Sequence, residues 1–202
     1  MMYPIAVVLV VGLAIALERW IYLTITAVGN RTLWNEISPL LAQGNFRQAV
    51  QLTSKSNAAI GQILSYGLAR ISSARRREDI EKAMEESLMD IMPRLEKRTH
   101  YIATFANIAT LLGLLGTVIG LINAFAAVAT VNPAEKANLL SASISVAMNC
   151  TAFGLMTAVP LLLIHAVLQT KTTELIDSLE MASVKFLNAV TERAPQPTPA
   201  AA

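Results

Sequence analysis

YIATFANIATLLGLLGTVIGLINAFAAVATVNPAEKANLLSASISVAMNCTAFGLMTAVPLLLIHAVLQT, residues Tyr101–Thr170, decides the fold. Its only formally charged side chains are Glu135 and Lys136, which sit side by side. They divide two uncharged stretches, Tyr101–Ala134 and Ala137–Thr170. About 20 predominantly apolar residues cross a bilayer, so each stretch is long enough to span. The pattern predicts a membrane hairpin: transmembrane helices over 101–131 and 138–168, with a polar corner at 132–137. A helix of about 34 residues reaches roughly 50 Å, against a hydrocarbon core of ~30 Å. The spans therefore tilt strongly or extend beyond the bilayer as protein-covered helices.

The rest of the chain fits this class. Of 202 residues, 54% are hydrophobic and only 15% charged, which points to an integral membrane protein with few spans. A single cysteine, Cys150, excludes an internal disulfide and a cysteine-based metal framework. His100 and His165 lie far apart in sequence. Only His100 has a carboxylate, Glu96, one helical turn away, and two ligands do not make a zinc site. Residues 1–28 predict a further span, uncharged through Leu17 and apolar again after Glu18-Arg19. Ala14-Ile15-Ala16 imitates a signal-peptide cleavage site, but no basic residue precedes the apolar run, which favours a retained span.

Orientation follows from the cations. Gly29–His100 holds Arg31, Arg47, Lys55 and Arg70, then Arg75, Arg76, Arg77 and Lys82, and finally Arg94, Lys97 and Arg98. The corner holds Lys136 alone. By the positive-inside rule, residues 29–100 form a cytoplasmic domain, the corner is periplasmic, the N-terminus is periplasmic and the C-terminus is cytoplasmic. The cytoplasmic part reads as helical. Leu33, Ile37, Leu40 and Leu41 make one apolar stripe ending at a C-cap and restart over Gly44-Asn45. Phe46 and Val50 begin a second helix, and Ile60, Ile63, Leu64, Leu68 and Ile71 mark a third. After Ser72-Ser73 comes a charged helix with Ile80, Met84, Leu88, Ile91 and Leu95 as its apolar stripe. Its bases alternate with acids, which favours a solvated face over a nucleic-acid or lipid surface. Pro93 is a kink site in a helix that otherwise runs into the next span. Residues 169–193 predict a solvated cytoplasmic helix, and the Pro/Ala-rich 194–202 a disordered tail.

Small residues mark where helices meet. Ala106, Thr110, Gly113, Thr117, Gly120, Ala124 and Ala127 recur at alternating spacings of four and three, on one helix face. Gly116 and Gly120 add a GxxxG pair. Such residues let backbones approach where lipid supplies no hydrophobic drive for association. The next span has two such faces: Ser141, Ser145, Asn149 and Ala152 on one, and Ala147, Thr151, Gly154 and Ala158 on the other, followed by Pro160. Two packing faces on one span predict a homo-oligomer. Thr117, Thr151, Asn149 and Ser145 are the polar groups in these seams able to meet a proton donor, a water or an ion. The bland alternative for each threonine is a bond to the carbonyl three or four residues back. Cys150 reads as small packing. Neither uncharged stretch contains an Asp or Glu of the kind proton pathways use. No phosphate loop, nucleophile triad or metal motif is present, so the sequence predicts neither an enzyme nor a cofactor.

Two motifs carry a family resemblance. Gly113-Leu114-Leu115-Gly116-Thr117-Val118-Ile119-Gly120 with Asn123 and Phe125 is the first, and Cys150-Thr151-Ala152-Phe153-Gly154-Leu155-Met156-Thr157-Ala158-Val159-Pro160 is the second. Together they closely resemble the MotA/TolQ/ExbB proton-channel proteins. The three-span layout is similar to the ExbB/TolQ branch rather than the four-span flagellar branch. The resemblance implies an all-α inner-membrane subunit, pentameric around a central pore. That pore would hold the single spans of an ExbD/TolR-type partner whose membrane aspartate carries the proton. It also implies force passed to a TonB-like protein that opens outer-membrane transporters. Thr117 and Thr151 match the family's two pore threonines, and Pro160 its motif-ending proline. One position departs: many members have a glutamate five residues before the second threonine, where this chain has Val146. No role for that acid carries over, and Asn149 lies on a neighbouring turn instead. A TolQ-like role in an envelope system and a passive membrane scaffold are the competing readings. Both proton and sodium suit hydroxyls and carbonyls.

Overall fold

The computed structural model describes residues 2–71, 77–130 and 132–191. They form six helices in chain order: α1 Met2–Gln43, α2 Phe46–Lys55, α3 Ala59–Ile71, α4 Arg77–Glu96, α5 Thr99–Thr130 and α6 Pro133–Thr191. The described residues contain no strand. The break expected at Ser72-Ser73, the cations Arg75 and Arg76, and the tail 194–202 lie outside them. Among the described residues, three helical stretches are long and apolar enough to cross a membrane: α1, the stretch Arg77–Ala129 that takes in α4 and most of α5, and α6. At 59 residues and 1.5 Å per residue α6 is roughly 90 Å long, about three times the thickness of a ~30 Å hydrocarbon core.

Local chemistry explains the helix ends. α1 runs past Gly29 without a break and takes in the Leu33, Ile37 and Leu41 stripe. It stops at Gly44, whose φ of 76° is the left-handed conformation glycine adopts at little steric cost. There the Gly44 and Asn45 amides close on the Leu41 and Leu40 carbonyls at 3.1 and 2.9 Å. Asn45 then caps α2, its side-chain oxygen accepting the Gln48 amide. The interruption between α4 and α5 falls at Lys97-Arg98 rather than at Pro93, which lies inside α4. The Lys97 amide still bonds to the Pro93 carbonyl at 3.0 Å. Arg98 then turns left-handed, with φ of 66°, and its carbonyl accepts the Tyr101 amide to open α5. Its guanidinium pairs with Glu18 of α1 at 2.6 Å, both side chains about half exposed.

The chain divides into two compact units, and α1 and α6 contribute to both. One comprises residues 2–20 and 98–170. Its interior is built largely from small side chains: Ala16, Ala106, Ala109, Ala124, Ala147 and Ala158 are buried, with Ile5, Ile102 and Leu161 filling between them. The outward positions are large and apolar, including Leu111, Leu114, Val118, Ile122, Leu155 and Met156. Small inside and bulky outside is the arrangement for helices packing in lipid. The other unit comprises the described residues of 21–97 and 171–191. It has a conventional core in which Ile37, Ile63, Leu64, Met84, Leu179 and Phe186 are almost fully buried.

Candidate functional site

Glycine decides how closely α5 and α6 approach. A Cβ on Gly154 would stand 2.7 Å from the Ala109 carbonyl oxygen and 3.0 Å from Gly113 Cα. A Cβ on Gly113 would meet the Cα atoms of Gly154 and Thr151, each at 3.3 Å. Gly120 faces Ala147, where an added Cβ would come within 2.6 Å of the alanine methyl. Backbone therefore lies on backbone along this seam. Ala106 and Ala124 are buried at its two ends, Gly116 is buried, and Thr110 is half-buried with its hydroxyl donating to the Ala106 carbonyl. α1 approaches α6 in the same unit, with Gly12 opposite Leu161.

The two threonines differ. The Thr117 hydroxyl donates to the Leu114 carbonyl at 2.6 Å, the local bond open to any helical threonine. The Thr151 hydroxyl instead crosses the seam and donates to the Gly113 carbonyl of α5 at 2.9 Å. This bond is possible because Gly113 has no side chain above its carbonyl, so the α6 backbone comes close enough for a short hydroxyl to reach. Both hydroxyl protons are thus committed to carbonyls, and both oxygens keep lone pairs to accept a further hydrogen bond.

Asn149 and Ser145 lie elsewhere. Two residues along a helix of 3.6 residues per turn is about 160° of rotation the short way round, so Asn149 and Thr151 point to nearly opposite sides of α6. Ser141, Ser145, Asn149 and Ala152 are all exposed, whereas Ala147, Gly154 and Ala158 are buried and Thr151 is half-buried. The face carrying Ala147, Thr151, Gly154 and Ala158 meets α5; no other described part of the chain covers the face carrying Ser145 and Asn149. The candidate polar groups therefore divide between a closed seam and an open face of one helix.

Sequence spacing offered no cue to one more hydroxyl. Thr157 is 1% exposed, and its oxygen has no hydrogen-bond partner among the described residues. It lies off the four-and-three spacing of the seam, and a threonine within an apolar run carries no sign of its burial. His100 and His165 have ring centroids 6.5 Å apart, tilted by 43°. Among the described residues, no group of three or more His, Cys, Asp or Glu could hold a metal ion. Val146 is exposed, so no carboxylate occupies that place beside Asn149.

Residues 55–181 match the MotA/TolQ/ExbB proton channel family, and this range contains both glycine–threonine motifs. A putative biopolymer transport protein ExbB homolog of Methanothermobacter thermautotrophicus is 27% identical over 181 residues, covering 89% of this chain and 63% of the relative. The biopolymer transport protein exbB1 of Vibrio cholerae is 30% identical over 156 residues, covering 68% of this chain and 66% of the relative. The biopolymer transport protein ExbB of Pseudomonas putida is 26% identical over 172 residues, covering 79% of this chain and 52% of the relative. The chain thus spans about half to two thirds of the length of these relatives.

Proposed function

Because the chain belongs to the MotA/TolQ/ExbB proton channel family, we propose that it is an ExbB-like subunit of an ion-driven motor in the inner membrane. In this reading several copies surround a pore, with the N-terminus periplasmic and the C-terminus cytoplasmic. The pore receives the single span of an ExbD/TolR-type protein that brings an intramembrane aspartate. Ion flow through the assembly energises a TonB-like protein and, through it, transport across the outer membrane. The names of the relatives favour this role over a TolQ-like one.

The observation that carries the reading is the division of α6 into two small-residue faces. One is closed on α5 by the Thr151–Gly113 bond, and the other is open with Ser145 and Asn149 on it. An isolated hairpin has no use for the second face; a ring does. The hydroxyl geometry also suits a neutral acid. With their protons held by the Leu114 and Gly113 carbonyls, Thr117 and Thr151 offer lone pairs, which accept from a protonated carboxyl but repel a carboxylate. Asn149 can donate and accept, so it serves either form. A partner aspartate would thus cross the charge-free zone protonated and ionise where water reaches it. Burying the charged form there would cost several kcal/mol, on the order of the penalty for a carboxylate at mid-membrane.

Thr151→Val keeps the shape of the side chain and removes the hydroxyl. The expected result is an assembly of unchanged size with lost ion flux and lost TonB-dependent uptake. Full uptake by the valine variant in an intact assembly would instead favour a passive scaffold.

A further inference from the structure

A cavity of about 510 Å³ opens within the unit built from residues 21–97 and 171–191. Its walls are the α1 stretch that follows Glu18-Arg19, the start of α3, and the α6 stretch that follows the uncharged run. Leu23, Ala27, Val28, Leu175 and Met181 give it an apolar floor and rim. Arg31, Lys171 and Lys185 line it with one acid, Glu174, so the lining carries a net charge of +2 (three cations less one carboxylate). One further wall residue is a buried amide. Asn30 is 4% exposed; its oxygen accepts the Ile60 amide near the start of α3 at 3.1 Å, and its Nδ2 has no acceptor among the described residues.

The level of the cavity along the chain matters as much as its lining. Apolar surface on α1 does not end at Glu18. Trp20, Ile21, Tyr22, Ile25 and Val28 remain exposed, and the next charge is Arg31. Trp and Tyr at the end of a span mark the headgroup level of a bilayer. The cavity thus begins just below an aromatic belt and joins apolar wall to cations, with a volume in the range of small-ligand sites. Basic pockets between membrane helices on the cytoplasmic side suit anionic lipid headgroups.

We propose that this cavity binds the headgroup of an anionic phospholipid from the leaflet at the cytoplasmic ends of the spans. The phosphate sits among Arg31, Lys171 and Lys185, and the first methylenes of the chains lie along Leu23, Val28 and Met181. The bound lipid covers the exposed Val28 at the cavity rim and provides an acceptor on the wall that carries the Asn30 amide. The site needs neither an ion gradient nor a partner protein, so its failure and that of the motor reading are separable.

The test uses the full chain as its native assembly in nanodiscs of equal phosphatidylglycerol and phosphatidylcholine with identical acyl chains. Lipid retained after mild release is read by native mass spectrometry. Phosphatidylglycerol is expected to be retained over phosphatidylcholine, and excess inorganic phosphate is expected not to displace it. Each cation removed should weaken the preference about fivefold, so R31Q/K171Q/K185Q should weaken it on the order of a hundredfold. Val28→Trp fills the exposed rim without altering charge and should also abolish retention, which keeps the test valid if the triple variant does not assemble. Three results would overturn the proposal: equal retention of both lipids, complete displacement by inorganic phosphate, or no lipid on an intact assembly because a neighbouring copy covers the cavity.

Discussion

Three glycine-to-alanine substitutions give a graded test of the helix seam. Gly154→Ala places a methyl 2.7 Å from the Ala109 carbonyl oxygen and 3.0 Å from Gly113 Cα, both backbone atoms. A carbon–oxygen contact normally sits at about 3.3 Å or more, so the helices must part by roughly 0.6 Å. Overpacking of this kind costs about 1–3 kcal/mol. The same movement stretches the 2.9 Å Thr151–Gly113 bond, whose loss adds about 0.6 kcal/mol within a membrane. Against these stands a helix-propensity gain of up to about 1 kcal/mol from replacing glycine. With the full propensity gain the net expectation is destabilisation of about 0.6–2.6 kcal/mol. Gly12→Ala meets only the Leu161 methyls, at 3.0 and 3.1 Å, and those are ends of a flexible side chain. Its effect should lie near zero. Gly29→Ala meets nothing within 4 Å and should stabilise by about 0.5–1 kcal/mol. Denaturation in mixed micelles with rising SDS, followed by circular dichroism, should place Gly29→Ala first, wild type and Gly12→Ala together, and Gly154→Ala last. Equal stability of Gly154→Ala and Gly12→Ala would refute the argument that backbone-on-backbone contact sets the seam.

Two further substitutions examine the rest of the fold. Arg98 holds a φ of 66° and a half-exposed ion pair; Arg98→Ala should be less stable than Arg98→Gly by about 1 kcal/mol in the same titration, because both lose the pair and only glycine relieves the left-handed strain. Equal values would show that the turn is unstrained. Phe186 is fully buried, with a ring carbon 3.0 Å from where a Gly67 Cβ would stand; Phe186→Ala should destabilise by about 3–5 kcal/mol and raise the protease sensitivity of residues 21–97.

The membrane hairpin was legible because charge is so costly in lipid that its absence over Tyr101–Thr170 admits few other readings. The small-residue faces were legible for a related reason: side chains that pack helices in lipid must be small, and their four-and-three spacing survives any local detail. The spacing marked two such faces on α6 without ranking them, and only the packing distinguishes them: Ala147, Gly154 and Ala158 are buried, while Ser145 and Asn149 are exposed. The partner of Thr151 was not legible. Sequence spacing fixes which face a residue lies on, but not the axial register of two helices, and only that register brings its hydroxyl to Gly113 rather than to its own helix. Nor did the sequence show that α1 continues to Gln43, because a helix leaving the membrane needs no stop signal and Gly29 is tolerated in open space. Proline chemistry marks Pro93 as the kink site, yet the turn forms at Arg98, where the Glu18 pair depends on tertiary approach.

The central claim is that this chain provides a charge-free, hydroxyl-bearing wall while the ion-carrying carboxylate arrives on another polypeptide. Its most direct test is proton flux into liposomes under an imposed potassium potential. The chain is reconstituted alone, and then together with the one-span protein that co-purifies with it. Flux from the chain alone should equal that of empty liposomes, and flux should appear only with the partner and vanish when its intramembrane aspartate becomes asparagine. Selective conduction by the chain alone would contradict the account.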